Sequence, residues 1–518
     1  MRSKSIPQTS FAGQRSRRQN FDATAPQILL GWFLSSLLLL LLKGRMLADP
    51  YFWDELGCYF SQVYEMSHRL VPYLASKPVY VRAPLLTTLL ALLHHYVSES
   101  PVLLRATVLV IGALVIPATY ALTCQLGGSR RLGILGGVLA GLLPAVFAQL
   151  GLIQMDLPAT GLCALAFVSL LRRNMVGYAI LGGLAVLIKE STYWVCLPAA
   201  LLVYARLVLR EQRRPLAPGT LLRLWPTAIP GVVLFLWLLV HRRITGAMVS
   251  SDHTAVIGLD GIFPSLLHNL IEGGRLPLSM AATAYLVSVY RTYRQQRDHQ
   301  TRQARPSEAQ LAIAATAVWW LSLPLCFPGQ LVRYLLPSVP ALCALAALGV
   351  GLLPSTRRLG MAALLCLFLV SGLRSDSFHN NSPFELEGNL SYRRLLQEHV
   401  MVAQRIADSG ARSAIADFPF SSILGMPPHF GYLDKPLAVT ILDRLHEPSE
   451  LCRAEVVVVT EVSAASFPLI EKAKQLGILR LWFVAAGADF PIGKGLFTPR
   501  WARYDHTISV YRASCPAP

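Results

Sequence analysis

Two acids stand side by side in the segment YFWDEL, Asp54 and Glu55, and a third, Asp156, interrupts the apolar run LIQMDLPAT. A carboxylate so placed can take a proton from an incoming hydroxyl. Three cations are set against them: Arg82 in VRAPL, Lys189 in VLIKES, and Arg333, followed by Tyr334, in LVRYLLP. A guanidinium or ammonium group can hold a phosphate, the guanidinium with two parallel hydrogen bonds. Acid and cations together suit a transfer from an anionic leaving group, which needs a base and a phosphate clamp but no covalent nucleophile. Simpler roles compete. Asp54 and Glu55 could cap a helix over 56–67, Asp156 and Lys189 could be a structural ion pair, and each cation alone could snorkel to a membrane surface. The sequence contains no Gly-rich phosphate loop, no CxxC spacing and no nucleophile elbow. An oxygen site made from Asp54, Glu55 and Asp156 leaves a divalent cation open, and no other cofactor is implied.

The elements that must position these residues are membrane helices. The 518 residues are 53% hydrophobic and 15% charged, outside the range of soluble domains. Eleven uncharged runs are candidate spans: 23–42, 106–129, 132–155, 157–171, 174–188, 191–205, 224–240, 276–290, 309–332, 334–356 and 359–373. The formal net charge of +18 resembles that of a polyanion binder, yet residues 374–518 carry 15 basic and 15 acidic side chains. The excess therefore lies among the apolar runs, and nucleic acid is excluded as the leading partner. Basic clusters fall at every second junction: the N-terminal tail, Arg130–Arg131, Arg172–Arg173, 206–223, 291–305 and Arg357–Arg358. The positive-inside rule puts them in the cytoplasm and puts Asp54, Arg82, Asp156, Lys189, Arg333 and the tail outside.

The expected fold is a mostly α polytopic membrane protein of about 11 helices followed by an extracytoplasmic α/β domain. Residues 1–27 form a basic cytoplasmic tail with an uncleaved signal anchor after it. Residues 28–373 form the membrane region, including a long outside loop at 48–101, and residues 374–518 form the outer domain. In that domain the periodicity predicts helices over 392–409 and 466–476 and strands over 455–460, 478–485 and 507–511, hence a partly parallel sheet. A Cys452–Cys515 disulfide is compatible with the outside location.

Taken in order, the acidic WDEL with a later R-x-P-L element, Arg105 to Gly112, QMDLPATGL, GGLAVLIKES and VRYLLPSVPALCALAA resemble the GT-C glycosyltransferases. The group is the protein O-mannosyltransferases and lipid A aminoarabinose transferases. The resemblance covers roughly residues 28–373. It implies inverting transfer of a sugar from a polyprenyl-phosphate donor to a lipid, glycan or protein acceptor, with Asp54 as the first-loop acid and Glu55 its neighbour. It further implies that Lys189 meets the donor phosphate, that Asp156 is the second acid, and that Arg333 and Tyr334 are the outer-face pair of a late helix. Arg82 stands where the group has Lys or His before Pro. Val81 replaces the aminoarabinose transferases' Glu, and Arg82-Ala83-Pro84-Leu85 replaces the mannosyltransferases' His-Pro-Pro-Leu, so neither acceptor carries over. The membrane would be a bacterial inner membrane, or that of the endoplasmic reticulum in a eukaryote. Two other classes remain: a lipid or solute transporter or flippase, whose halves would normally be alike, and a non-catalytic glycan-binding membrane protein.

Overall fold

The computed structural model describes most of residues 23–514; residues 53, 70–82, 216, 247–265, 267–268, 272–273, 300–304, 327–331, 374–389, 391, 461–466 and 487–506 are outside the described set. Nine helices lead into the site: α1 (Ala25–Lys43), α2 (Phe60–Arg69), α3 (Pro84–Tyr96), α4 (Pro101–Gly112), α5 (Val115–Gln125), α6 (Arg130–Leu142), α7 (Pro144–Gln149), α8 (Asp156–Leu171) and α9 (Met175–Ile188). Among the described residues, five helical stretches are long and apolar enough to cross a membrane: Ala25–Ala48, Pro101–Gln125, Glu190–Arg210, Trp225–Arg243 and Ser355–Gly372. Three shorter apolar helices accompany them, Asp156–Leu171, Met175–Ile188 and Leu335–Gly351. The chain is a mostly helical, polytopic membrane protein with a small C-terminal sheet.

The apolar runs do not all form single rods. The run 132–155 breaks after Leu142, because Leu143 is extended (φ −58°, ψ 125°) ahead of Pro144 and the residue before proline is driven out of the helical region. After α7 the chain reverses through Gly151 at φ +101°, a conformation that disfavours any side chain. The carbonyls left open there are met by the Lys43 ammonium at the end of α1, which accepts no solvent exposure beyond 1% and donates to Phe147, Ala148 and Leu150. Elsewhere small residues let helices touch. A Cβ at Gly349 would run into the carbonyl of Ala281, so the helices Leu276–His299 and Val339–Val350 meet backbone to backbone.

The C-terminal sheet has five strands, β1 (Ser413–Ala416), β2 (Ala438–Ile441), β3 (Val456–Thr460), β4 (Leu479–Ala486) and β5 (Thr507–Ala513), in the order β2-β1-β3-β5-β4. β1 runs parallel to β2 and β3, and β5 is antiparallel to β3 and β4, so the sheet is mixed as expected. The helices Tyr392–Asp408 and Phe467–Gln475 appear where their periodicity predicts them, whereas β1 and β2, of four residues each, were not anticipated. Side chains alternate across the sheet. Ile415, Val457, Val459 and Tyr511 pack beneath the Phe467–Gln475 helix with Ile470 and Ala473. Ala414, Ala416, Val456, Val458, Ile508 and Val510 face the other way and join one core with Tyr51, Phe52, Leu56, Tyr59 and Phe60 of the first loop. Cys452 is disulfide-bonded; Cys515, its expected partner, lies outside the described residues.

Candidate functional site

The segment between α1 and α2 carries the acids, and its shape depends on one cation from α4. A wide five-residue helical turn spans Glu55–Tyr59 and continues into α2; turns of this kind recur at functional positions. Glu55 points inward and is fully buried. Its Oε1 accepts from Arg105 Nε at 2.9 Å and from the Ile153 amide at 2.7 Å; its Oε2 accepts from Arg105 Nη2 at 2.6 Å and from the Phe52 amide at 2.9 Å. Arg105, 1% exposed, directs its remaining N–H groups to the carbonyls of Leu47, Asp49 and Pro50, so all five guanidinium donors are used on residues 47–55. Its Cζ also lies 5.0 Å from the centre of the Tyr51 ring. Glu55 is thus a strut, with both oxygens committed to holding the turn.

Asp54 stands at the start of that turn and is half-buried. It makes no side-chain cap hydrogen bond, so the capping role does not apply to it. Glu55 reaches back to the Phe52 amide and takes part of that role instead.

Five residues into the turn, Tyr59 joins this arrangement to the second pair. Asp156 opens α8 and Lys189 ends α9, the latter in an extended conformation (φ −144°, ψ 119°) that stops the helix. Because α8 and α9 are antiparallel neighbours, these ends meet. Lys189 Nζ lies 3.4 Å from Asp156 Oδ1 and 3.3 Å from Tyr59 Oη, with Lys189 and Asp156 3% and 0% exposed. The ion pair between Asp156 and Lys189 weighed from sequence is present, and Tyr59 places it beside the Asp54 turn.

Arg82 lies outside the described residues. Arg333 and Tyr334 fall within the helical turn Val332–Ser338, which packs beside α8, and their side chains are outside the described set. That turn is anchored at its end: Ser338 Oγ donates to Asn269 Oδ1 at 3.3 Å, Arg275 donates to the same oxygen at 3.3 Å, and Asn269 Nδ2 reaches the Trp320 carbonyl at 3.0 Å. Among the described residues no three His, Cys, Asp or Glu side chains gather closely enough to hold a metal ion. Asp54, Glu55 and Asp156 therefore make no common oxygen site in this conformation.

The C-terminal sheet and its helices are seated directly on the loop that carries Asp54. Arg393 grips Asp49 through Nε and Nη2 at 2.8 and 3.3 Å, a pairing that raises the guanidinium's pKa. Tyr432 Oη donates to the Tyr51 carbonyl at 2.7 Å, and the Tyr51 amide donates to the Phe430 carbonyl at 3.3 Å. Burial pushes the phenols of Tyr51, Tyr392 and Tyr432 above the ordinary tyrosine range, so they stay protonated.

Two features of the site carried little or no sequence signal. Arg105 was visible only as the charge that begins the patch ending at Gly112. Tyr59 carried none, because its role arises from the turn's geometry.

No family model matches the chain, and no curated protein matches it. Solved structures do. ArnT from Cupriavidus metallidurans bound to undecaprenyl phosphate superposes with a TM-score of 0.53 at 14% identity, covering 96% of this chain and 100% of that one. The same protein in the apo state gives 0.54 at 14% identity, with 93% and 98% covered. Over nearly its whole length, the chain has the GT-C fold.

Proposed function

We propose that the protein is an integral-membrane inverting glycosyltransferase that moves a sugar from a polyprenyl-phosphate donor to a lipid, glycan or protein acceptor at the outer face of the membrane. The observation that carries this reading is the junction at Tyr59. It sets the turn bearing Asp54, braced by Glu55 and Arg105, against the buried Asp156–Lys189 pair. The donor class is supported by the shared fold and by the undecaprenyl phosphate bound to the Cupriavidus ArnT.

In this reading Asp54 takes the proton of the acceptor hydroxyl or amine as its heteroatom attacks the anomeric carbon. The bond between that carbon and the phosphate oxygen breaks, and the lipid phosphate leaves with the electron pair. Lys189 receives the negative charge that collects on the departing oxygen, with Arg82, Arg333 and Tyr334 as its partners around the phosphate. Asp156 orients Lys189 and keeps it charged in a buried position. Glu55 acts on position alone. The outer domain, residues 374–518, covers the site and contacts the acceptor, and residues 28–373 hold the donor.

Purified protein supplied with a polyprenyl-phosphate sugar and a membrane extract containing acceptor is expected to release free polyprenyl phosphate in step with glycosylated product. Movement of the intact lipid-linked sugar across sealed vesicles, with no bond broken, would contradict the transferase reading and identify a transporter.

A further inference from the structure

At the end of α8 remote from Asp156, three guanidinium groups converge on a single carboxylate. Arg206 bridges to Glu308 Oε1, while Arg173 and Arg210 lie 3.7 and 3.9 Å from Glu308 Oε2. Since α8 has 16 residues, this cluster stands about 24 Å from Asp156, at the opposite end of the bundle. Arg173 comes from one junction, Arg206 and Arg210 from a single turn of the next, and Glu308 from the start of a third element, and the fold gathers them at one point.

The floor of the cluster is built and its mouth is open. Arg206 is 9% exposed; its Nη1 and Nη2 donate to the carbonyls of Leu170 and Leu171 at 3.1 and 3.3 Å, and its Nε is buried with no hydrogen-bond partner among the described residues. Arg173 and Arg210 are 70% and 42% exposed and flank Glu308, itself 36% exposed. Three positive charges around one negative leave a local excess of two. Arg172, bonded to the Ala23 carbonyl, and Arg305, bonded to the Arg210 carbonyl, add to it nearby. Like charges this close are costly at a membrane edge, where the effective dielectric is low. A second anion relieves them, and phosphate oxygens match guanidinium forks.

We propose that Arg173, Arg206 and Arg210 form a phosphate-binding site, occupied by the headgroup of an anionic phospholipid on the membrane face opposite Asp54. The chemistry is that of basic pockets between membrane helices that hold lipid headgroups. It does not depend on the transferase reading. Glu308 then acts as a placeholder that keeps the arginines together and competes with the ligand.

The test uses the full chain in detergent, with bound lipid measured by native mass spectrometry and melting temperature followed in parallel. Dioleoylphosphatidylglycerol should be retained and should raise the melting temperature, and dioleoylphosphatidylcholine should do neither. The double substitution R173A/R210A, at two exposed positions, should weaken retention roughly thirtyfold. Glu308→Gln should strengthen it, because the competing carboxylate is gone; a purely structural bridge would give no gain. Inorganic phosphate that raises the melting temperature of the wild type, and not of R173A/R210A, would support the site with free phosphate as the source. Equal retention of the two lipids by wild type with no response to phosphate, or undiminished retention by R173A/R210A, would overturn the proposal. If Glu308→Gln does not fold, the double variant alone decides.

Discussion

Arg105 holds both carboxylate oxygens of Glu55, at 2.9 and 2.6 Å, across fifty residues of chain and with both side chains withdrawn from solvent. The pair fixes the loop from Leu47 to Glu55 to α4, and through that loop it fixes where Asp54 stands. A buried pair of this kind is stable only while both partners remain.

Removing either partner should therefore be costly. Glu55→Gln or Arg105→Met is expected to destabilise the folded protein by about 3–5 kcal/mol, since each leaves an uncompensated buried charge. The double variant Glu55→Leu/Arg105→Met should lose less than the two single costs combined. Thermal unfolding in detergent measures all three; a Glu55→Gln protein as stable as wild type would show that the strut is unimportant.

Lys189 and Asp156 should separate kinetically from Asp54. Lys189→Met removes the cation assigned to the donor phosphate and should raise the KM for the lipid-linked donor as well as lower kcat. Asp156→Asn should reproduce part of that defect by releasing Lys189. Lys189→Arg should restore donor binding in part, because charge returns with a different reach. Unchanged donor KM in Lys189→Met would remove Lys189 from the phosphate site.

The seat of the C-terminal sheet on the first loop predicts an alkaline limit. Buried Tyr51, Tyr392 and Tyr432 have raised pKa values, chiefly through loss of solvent. Their folded pKa values lie above the unfolded value of about 10. Stability from keeping them neutral is complete below pH about 10 and declines as pH rises above it, where only the unfolded chain ionises. Tyr432→Phe should make that decline shallower while removing the bond to the Tyr51 carbonyl. A pH-stability profile with the same alkaline slope in Tyr432→Phe would count against this origin.

What could be read from the sequence divides along physical lines. The run EVVVVT has one structural solution, a buried central strand, and β3 forms there with every residue buried. Asp156 and Lys189 each interrupt an apolar run, so the cost of an unpaired charge pointed to their pairing. β1 and β2 are too short to show a period. The break at Leu143 was hidden because an apolar run reads alike whether it is one helix or two, although Pro144 was the available signal. Asp54 and Glu55 are adjacent and chemically similar. Only the structure separates them, by giving Glu55 four hydrogen bonds and leaving Asp54 without a capping bond. The six basic clusters by which the sequence is oriented gave no hint that Arg173, Arg206 and Arg210 share a carboxylate.

Asp54 is the residue on which the proposed transfer most directly depends. The decisive measurement is the rate of polyprenyl phosphate release by Asp54→Asn, at saturating lipid-linked donor and acceptor, with folding confirmed by an unchanged melting temperature. Loss of a positioned base predicts a kcat lower by about 100-fold or more, with donor KM little altered. A folded Asp54→Asn protein that releases lipid phosphate at the wild-type rate would contradict the assignment.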